Sequence, residues 1–153
     1  MRVLIDTNVL VVRMSEPTHA LHQTAIDAIQ WLSNQSYELL IVPQSLYEFW
    51  SVATRSVAAN GLGKSTSYAE SRVASLCGMF TLLRDERAIY ETWLKLVADL
   101  AIPGVKSFDA RLAAAMMRHG ITHLLTFNSA HFQRFTHLAI LDPIQVAVQA
   151  GKT

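Results

Sequence analysis

The sequence predicts an α/β fold, a three-layer α/β/α domain built around a central, mainly parallel sheet of about four or five strands. Short, branched apolar runs alternate along the chain with longer stretches whose apolar residues recur at helical spacing. Strands that alternate with helices pair in parallel through right-handed crossovers. The chain has 153 residues, of which 51% are hydrophobic, which is enough for one domain with a sizeable core. We therefore expect a single domain over residues 1–150.

The predicted strands are short apolar runs. The first, residues 3–5, is branched and uninterrupted, as expected for a strand buried on both faces. The others cover residues 38–42, 80–83, 123–126 and 138–141.

The predicted helices cover residues 20–32, 43–59, 65–79, 86–100 and 107–120. Pro43 suits the first turn of its helix, because the N–H that proline lacks would have no partner there. Asn60 and Gly61 are expected to end that helix. Ser107 is the predicted N-cap of the last helix, and Gly120 its C-terminal stop.

Composition limits the partners. Lysine and arginine total 13 and aspartate and glutamate 12, so no strong overall field favours nucleic acid or an acidic membrane, and any polyanion must bind locally. The single cysteine, Cys77, allows no disulfide framework within one chain and is expected in the core. No leader peptide or run of roughly 18 apolar residues is visible. A cytoplasmic location is therefore expected.

Acidic residues come where strands end. Asp6 directly follows the first predicted strand, and parallel α/β sheets bind ligands beyond the carboxyl ends of their strands. Glu48 lies early in the helix after the second strand, on a stripe of polar residues that includes Gln44. Asp109 lies in the first turn of the helix of residues 107–120, and residues 126–128 leave a strand at the same edge. Four distant parts of the chain should thus converge.

Three carboxylates in one pocket repel one another unless a cation joins them. Oxygen ligands favour Mg²⁺ or Mn²⁺, whereas zinc would favour histidine and cysteine at short spacings that the sequence lacks. Each acid also has a simpler interpretation. Asp6 could only start a loop, Glu48 could be a solvated surface residue, and the helix dipole favours any acid at Asp109.

Five segments in this order resemble a PIN domain and, over essentially the whole chain, the VapC-like toxin ribonucleases. They are LIDTN, PQSLYEFW, SFDARLAAAMMRHG, LLTFNSAHF and a last strand that ends in LDP. The resemblance implies a PIN-like domain that hydrolyses RNA phosphodiester bonds with Mg²⁺ or Mn²⁺. The catalytic and metal-binding acids would be Asp6, Glu48 and Asp109. The polar residues that orient these acids or a water would be Thr7, Asn8, Thr126 and Asn128.

The same resemblance implies partners. VapC-like proteins are typically homodimers, held inactive by a small antitoxin whose tail lies in the acidic pocket. This chain is accordingly expected to act on RNA as the toxin of a type II toxin–antitoxin pair.

One residue departs from the family pattern. Many members read Thr-x-Asn-x-x-Asp-Phe in the last motif, whereas this chain has His131 in place of the acid. His131 could be a neutral metal ligand, a proton donor to the leaving oxygen or a surface histidine. Without the fourth acid of the family pattern, the second metal position is in doubt, but the first is not. An inactive PIN domain that binds RNA or protein therefore stays an alternative. A phosphohydrolase or receiver-like domain is less favoured, because a phosphohydrolase would need a second acid where Asn8 stands.

Overall fold

The central sheet has five strands, and all of them are parallel. In the computed structural model, which describes residues 1–151 without the side chains of residues 14 and 15, the strand order is β3-β2-β1-β4-β5. The strands are β1 (Arg2–Ile5), β2 (Glu38–Ile41), β3 (Thr81–Leu82), β4 (His123–Leu125) and β5 (Ala139–Leu141). The predicted α/β class and parallel pairing are confirmed.

Helices cover both faces of this sheet. They are α1 (Thr7–Ser15), α2 (His22–Asn34), α3 (Pro43–Thr54), α4 (Thr66–Met79), α5 (Arg87–Asp99), α6 (Lys106–His119), α7 (Ser129–Phe132) and α8 (Pro143–Ala150). Three of them, α1, α7 and α8, were not predicted, since each is too short to show a clear helical period in the sequence. None of the helices in residues 1–151 is long and apolar enough to cross a membrane.

The three layers follow from the alternation of side chains along each strand. Val3 and Ile5 of β1 face a core shared with α1, α2, α3, α4 and α8. Leu4, between them, faces a second core shared with α5, α6 and α7. Both cores contain fully buried side chains, so β1 is covered on both sides, as its unbroken apolar run indicates.

Helix α3 ends five residues earlier than predicted. Its last residue is Thr54, and a 3-10 turn, Val57–Ala59, follows. The chain then folds back, so that the N–H groups of Leu62 and Lys64 donate to the carbonyls of Val52 and Ala53, at 2.9 and 2.8 Å. These bonds satisfy carbonyls that a longer helix would have used.

Two further predictions are wrong. Ser107 is not an N-cap, because α6 begins at Lys106 after Val105 and has no side-chain cap. The Ser107 carbonyl instead accepts a hydrogen bond from the indole of Trp93 at 2.9 Å. Cys77 is exposed rather than in the core, because α4 buries only Ala69 and Leu76.

Gly120 ends α6 in the left-handed conformation, with φ of 63°, as the sequence predicts. Gly120→Ala should lower the free energy of unfolding by about 1 kcal/mol, since an added Cβ meets no atom within 4 Å and only the backbone is strained. Gly78→Ala is the matched control. Its Cβ also meets nothing, but Gly78 lies within α4, so the free energy of unfolding should rise by about 0.5 kcal/mol. Urea unfolding measures both, and equal effects of the two substitutions would contradict this account.

Candidate active site

Asp6 lies at the point where strand order reverses. The chain passes outward from β1 to β2 and β3, then returns to the other side of β1 to form β4. The crevice between β1 and β4 is therefore the expected ligand site of this sheet. The backbone N–H of Asp6 donates to the carbonyl of Leu125 at 3.0 Å, which joins the two strands at this edge.

Three neighbours hold the Asp6 carboxylate. Oδ1 accepts a hydrogen bond from the backbone N–H of Thr7 at 2.7 Å, so Asp6 also caps α1. Oδ2 accepts from the Asn8 amide at 2.8 Å and from the Thr126 hydroxyl at 2.6 Å. Asn8 accepts in turn from the N–H of Phe127 at 3.1 Å. The carboxylate is thus held both by the start of α1 and by the residue that follows β4.

The surroundings of Asp6 disfavour its charged form. Burial raises the pKa of Asp6 to about 6, and the charges of Glu48 and Asp109 add to the rise. Hydrogen bonds from Thr126 and from the N–H of Thr7 oppose it. A cap on a surface helix would not be buried among other acids, so capping alone does not account for this environment.

Glu48 reaches the same place from α3. The neighbouring side chain, Phe49, is fully buried and, with Ala53, anchors this helix in the core. One carboxylate oxygen of Glu48 accepts from the Thr7 hydroxyl at 2.7 Å, and the other accepts from the Gln44 amide, also at 2.7 Å. Glu48 therefore has a hydrogen-bond donor on each oxygen.

Gln44 is a residue that the sequence-based prediction missed. It was placed on a polar stripe, but its exposed fraction is only 6%. Its amide also donates to the carbonyl of Phe108 at 2.9 Å, and its oxygen accepts from Arg111 at 3.1 Å. The sequence did offer one signal for this contact, because residues four positions apart on a helix, such as Gln44 and Glu48, are neighbours on one face.

Asp109 and His131 meet on the other side of the pocket. The Nδ1 atom of His131 lies 3.5 Å from Oδ2 of Asp109, and the side chain of His131 is half exposed. Burial raises the pKa of Asp109 and the charge of Glu48 adds to it, while His131, Arg134 and Lys106 oppose the rise. Asp6 and Asp109 therefore both hold a proton more tightly than a free carboxyl does, mainly because they are buried, and a bound cation would favour their charged forms.

Most of the predicted site residues line one cavity of about 690 Å³. Those that line it are Asp6, Thr7, Asn8, Glu48, Asp109, Asn128 and His131. Thr126 does not line it, since it is fully buried beneath Asp6 and accepts the backbone N–H of Asn128 at 3.0 Å. Two largely exposed aromatic side chains, Tyr47 and Phe108, also border the cavity. The structure thus brings the residues together, while their catalytic roles stay predictions.

The donor set fits a hard divalent cation. Its charged donors are carboxylate oxygens, and burial, with a smaller contribution from the charge of Glu48, raises the pKa of both Asp6 and Asp109. Across residues 1–151, no three acidic, histidine or cysteine side chains are gathered tightly enough to hold an ion as they stand. Carboxylates that repel one another are expected to stay apart until a cation draws them in.

Comparison with protein families gives a match along most of the chain. The family model of the PIN domain matches residues 3–138. Among curated proteins, no sequence is significantly similar.

Solved structures show the same fold at low sequence identity. A chain of VapBC2 from Rickettsia felis, bound to a DNA fragment from its promoter, has a TM-score of 0.70 at 16% identity, with 92% of this chain and 98% of that chain covered. A chain of VapBC-1 from nontypeable Haemophilus influenzae has a TM-score of 0.67 at 18% identity, with 94% and 98% covered. VapC20 of Mycobacterium tuberculosis, described as a sarcin-ricin-loop-cleaving toxin, has a TM-score of 0.59 at 17% identity, with 80% and 86% covered.

Proposed function

This chain belongs to the PIN domain family, and from that premise we propose that it is a Mg²⁺- or Mn²⁺-dependent endoribonuclease, the toxin of a toxin–antitoxin pair. The observation that carries the proposal is the convergence of Asp6, Glu48 and Asp109 on one cavity at the switch point of the sheet. Acids from three elements that share one partly buried edge repel one another and need a compensating charge. A cation that binds an RNA phosphate supplies one.

In this proposal each residue has a defined task. Asp6 and Asp109 would hold the cation, which would supply a lowered pKa for an attacking water and would offset charge on the phosphoryl oxygens. Glu48 would bind the same ion or orient the attacking water as a hydrogen-bond acceptor. Asn8 and Thr126 keep Asp6 in one rotamer through the bonds described above.

The partners are proposed on the same premise. The structural relatives include chains from VapBC complexes, which supports a small antitoxin as the partner of this chain. A basic or amide side chain from its tail would be suited to the acidic pocket. We also propose that the protein is a homodimer and that it is located in the cytoplasm. Light scattering on the purified protein would test the dimer.

Incubation of purified protein with total RNA tests the activity. We expect fragments with Mg²⁺ or Mn²⁺ and none with excess chelator. Cleavage that resists the chelator would overturn the metal-dependent mechanism. RNA binding without cleavage under all conditions would favour the alternative, an inactive PIN domain that acts as a binding module.

His131 gives a further prediction. His131→Asp should raise the affinity for Mn²⁺ about tenfold, equivalent to about 1.4 kcal/mol, because a fourth negative charge would stand beside Asp109. RNA cleavage should become faster at limiting metal. Calorimetry measures the affinity, with His137→Asp as control, since His137 does not line the cavity. If His131→Asp binds Mn²⁺ no better than wild type, position 131 is outside the reach of the ion.

A further inference from the structure

Gln44 contacts both segments that carry the acids opposite Asp6. Its Nε2 atom donates to the carboxylate of Glu48 at 2.7 Å and to the carbonyl of Phe108, the residue before Asp109, at 2.9 Å. We propose that Gln44, held by Arg111 and Asp85, is a positioning residue that sets Glu48 relative to Asp109. This inference rests on the proposed function, since the geometry it sets is that of the metal-binding acids.

The amide of Gln44 has one orientation that satisfies all its partners. Arg111 has only donors, so its NH1 atom, 3.1 Å away, has to face the amide oxygen of Gln44. The amide nitrogen then points toward the carboxylate of Glu48 and the carbonyl of Phe108, and both of its N–H groups are used. A flipped amide would place N–H against the guanidinium and oxygen against two acceptors. At 6% exposure, water has little access to correct such a mismatch.

Arg111 is itself fixed from its other side. Its NH2 atom lies 2.6 Å from the carboxylate of Asp85, a residue of the loop between β3 and α5. The two side chains are 29% and 38% exposed, so the ion pair adds little stability by itself. Its effect is geometric, because the rigid guanidinium fork presents NH1 to Gln44 while NH2 is held by Asp85.

The consequence is a continuous line of contacts from the surface to the pocket. It runs from Asp85 through Arg111 and Gln44 to Glu48, whose second oxygen is held by Thr7. Without the Gln44 amide, Glu48 would keep a single anchor and could turn away from Asp109. Metal-holding carboxylates depend on such partners, whose loss typically weakens metal binding about 10- to 100-fold.

The test measures Mn²⁺ binding to the metal-free protein by electron paramagnetic resonance, without RNA. Gln44→Met keeps the length of the side chain but has no amide, and should weaken Mn²⁺ binding about 10- to 100-fold. Arg111→Met should act in the same direction. Thermal melts establish that each variant is folded.

Arg118→Met is the matched control. Arg118 lies on the same helix as Arg111 and pairs with Glu86, the neighbour of Asp85, but has no contact with Gln44. Its loss should leave Mn²⁺ affinity unchanged, whatever it does to the melting temperature. Wild-type affinity in Gln44→Met, or equal weakening by Arg118→Met and Arg111→Met, would overturn the proposal.

A second readout separates this inference from the proposed function. If the wild-type protein neither binds Mn²⁺ nor cleaves RNA, the proposed function fails, but the position of Glu48 can still be measured. Carbon-13 relaxation of the Glu48 side chain should show an ordered group in the metal-free wild type and a mobile one in Gln44→Met. Equal order in both would show that Gln44 does not position Glu48.

Discussion

Replacing Asp6 by Asn should reduce RNA cleavage on the order of a thousandfold, the scale expected when one preorganised electrostatic group of an active site is lost. Asn keeps the shape of the side chain and an oxygen for the Thr7 N–H, but it removes the negative charge and one acceptor. The cation would lose a ligand at the switch point, where Thr126 and Asn8 hold the carboxylate. Initial rates on a labelled RNA with Mg²⁺ measure the effect.

Asp142→Asn is the control that separates catalysis from capping. Asp142 follows β5 as Asp6 follows β1, and it caps α8 by accepting the N–H of Ile144 at 2.9 Å. It does not line the acidic cavity. Its substitution should leave the cleavage rate within about twofold of wild type, as expected for a surface change away from the site. A similar loss in both variants would mean that Asp6 acts only as a helix cap.

The stability of the metal-free protein should depend on pH through Asp6. Burial raises the pKa of Asp6 from 3.8 in the unfolded reference to about 6 in the folded protein. Below pH 3.8 both states hold the proton. Between about pH 4 and 6 the folded state retains a proton that the unfolded state has released, so stability falls as pH rises. Above pH 6 the full loss of about 3 kcal/mol is present.

Comparison with Asp6→Asn isolates this contribution, because Asn does not titrate. The difference in unfolding free energy, variant minus wild type, should grow by about 3 kcal/mol from pH 4 to pH 6 and then level off. In saturating Mn²⁺, the unfolding free energy of the wild type should no longer fall between pH 4 and pH 6, because the cation favours the charged carboxylate. Urea unfolding at a series of fixed pH values measures the unfolding free energy of both proteins. A difference between them that is independent of pH would rule out a raised pKa for Asp6.

The fold was predictable because its signals are local. The apolar run of β1 is followed at once by Asp6, and the alternation of strands and helices predicts the parallel sheet without any long-range information. The rule that ligands bind at the carboxyl edge then places Glu48 and Asp109 beside Asp6. The structure confirms the sheet and shows the three acids around one cavity.

What was missed depends on contacts between distant segments. Gln44 resembles a solvent-facing residue until the start of α6 packs over it. Ser107 resembles an N-cap, but the chain around Gly104 already turns, and the N–H of Ser107 donates to the carbonyl of Gly104 at 3.0 Å. The early end of α3 depends on the return of residues 62–64 onto its last carbonyls. The helix propensities of these segments carry no information about contacts with distant parts of the chain.

The hydrogen bond from Thr126 to Asp6 has a consequence for biosynthesis. It joins residues 120 positions apart, and Asn8 is tied to Phe127 over a similar interval. During translation Asp6, Thr7 and Asn8 are made together, whereas the Thr126 hydroxyl that completes the hydrogen bonding of Asp6 follows more than a hundred residues later. A nascent chain that stops short of residue 123 cannot form β4 against β1, and one that stops short of residue 126 lacks the hydroxyl that Asp6 accepts from. The carboxylate of Asp6 therefore acquires its full set of hydrogen bonds only after residue 126 has been added to the growing chain.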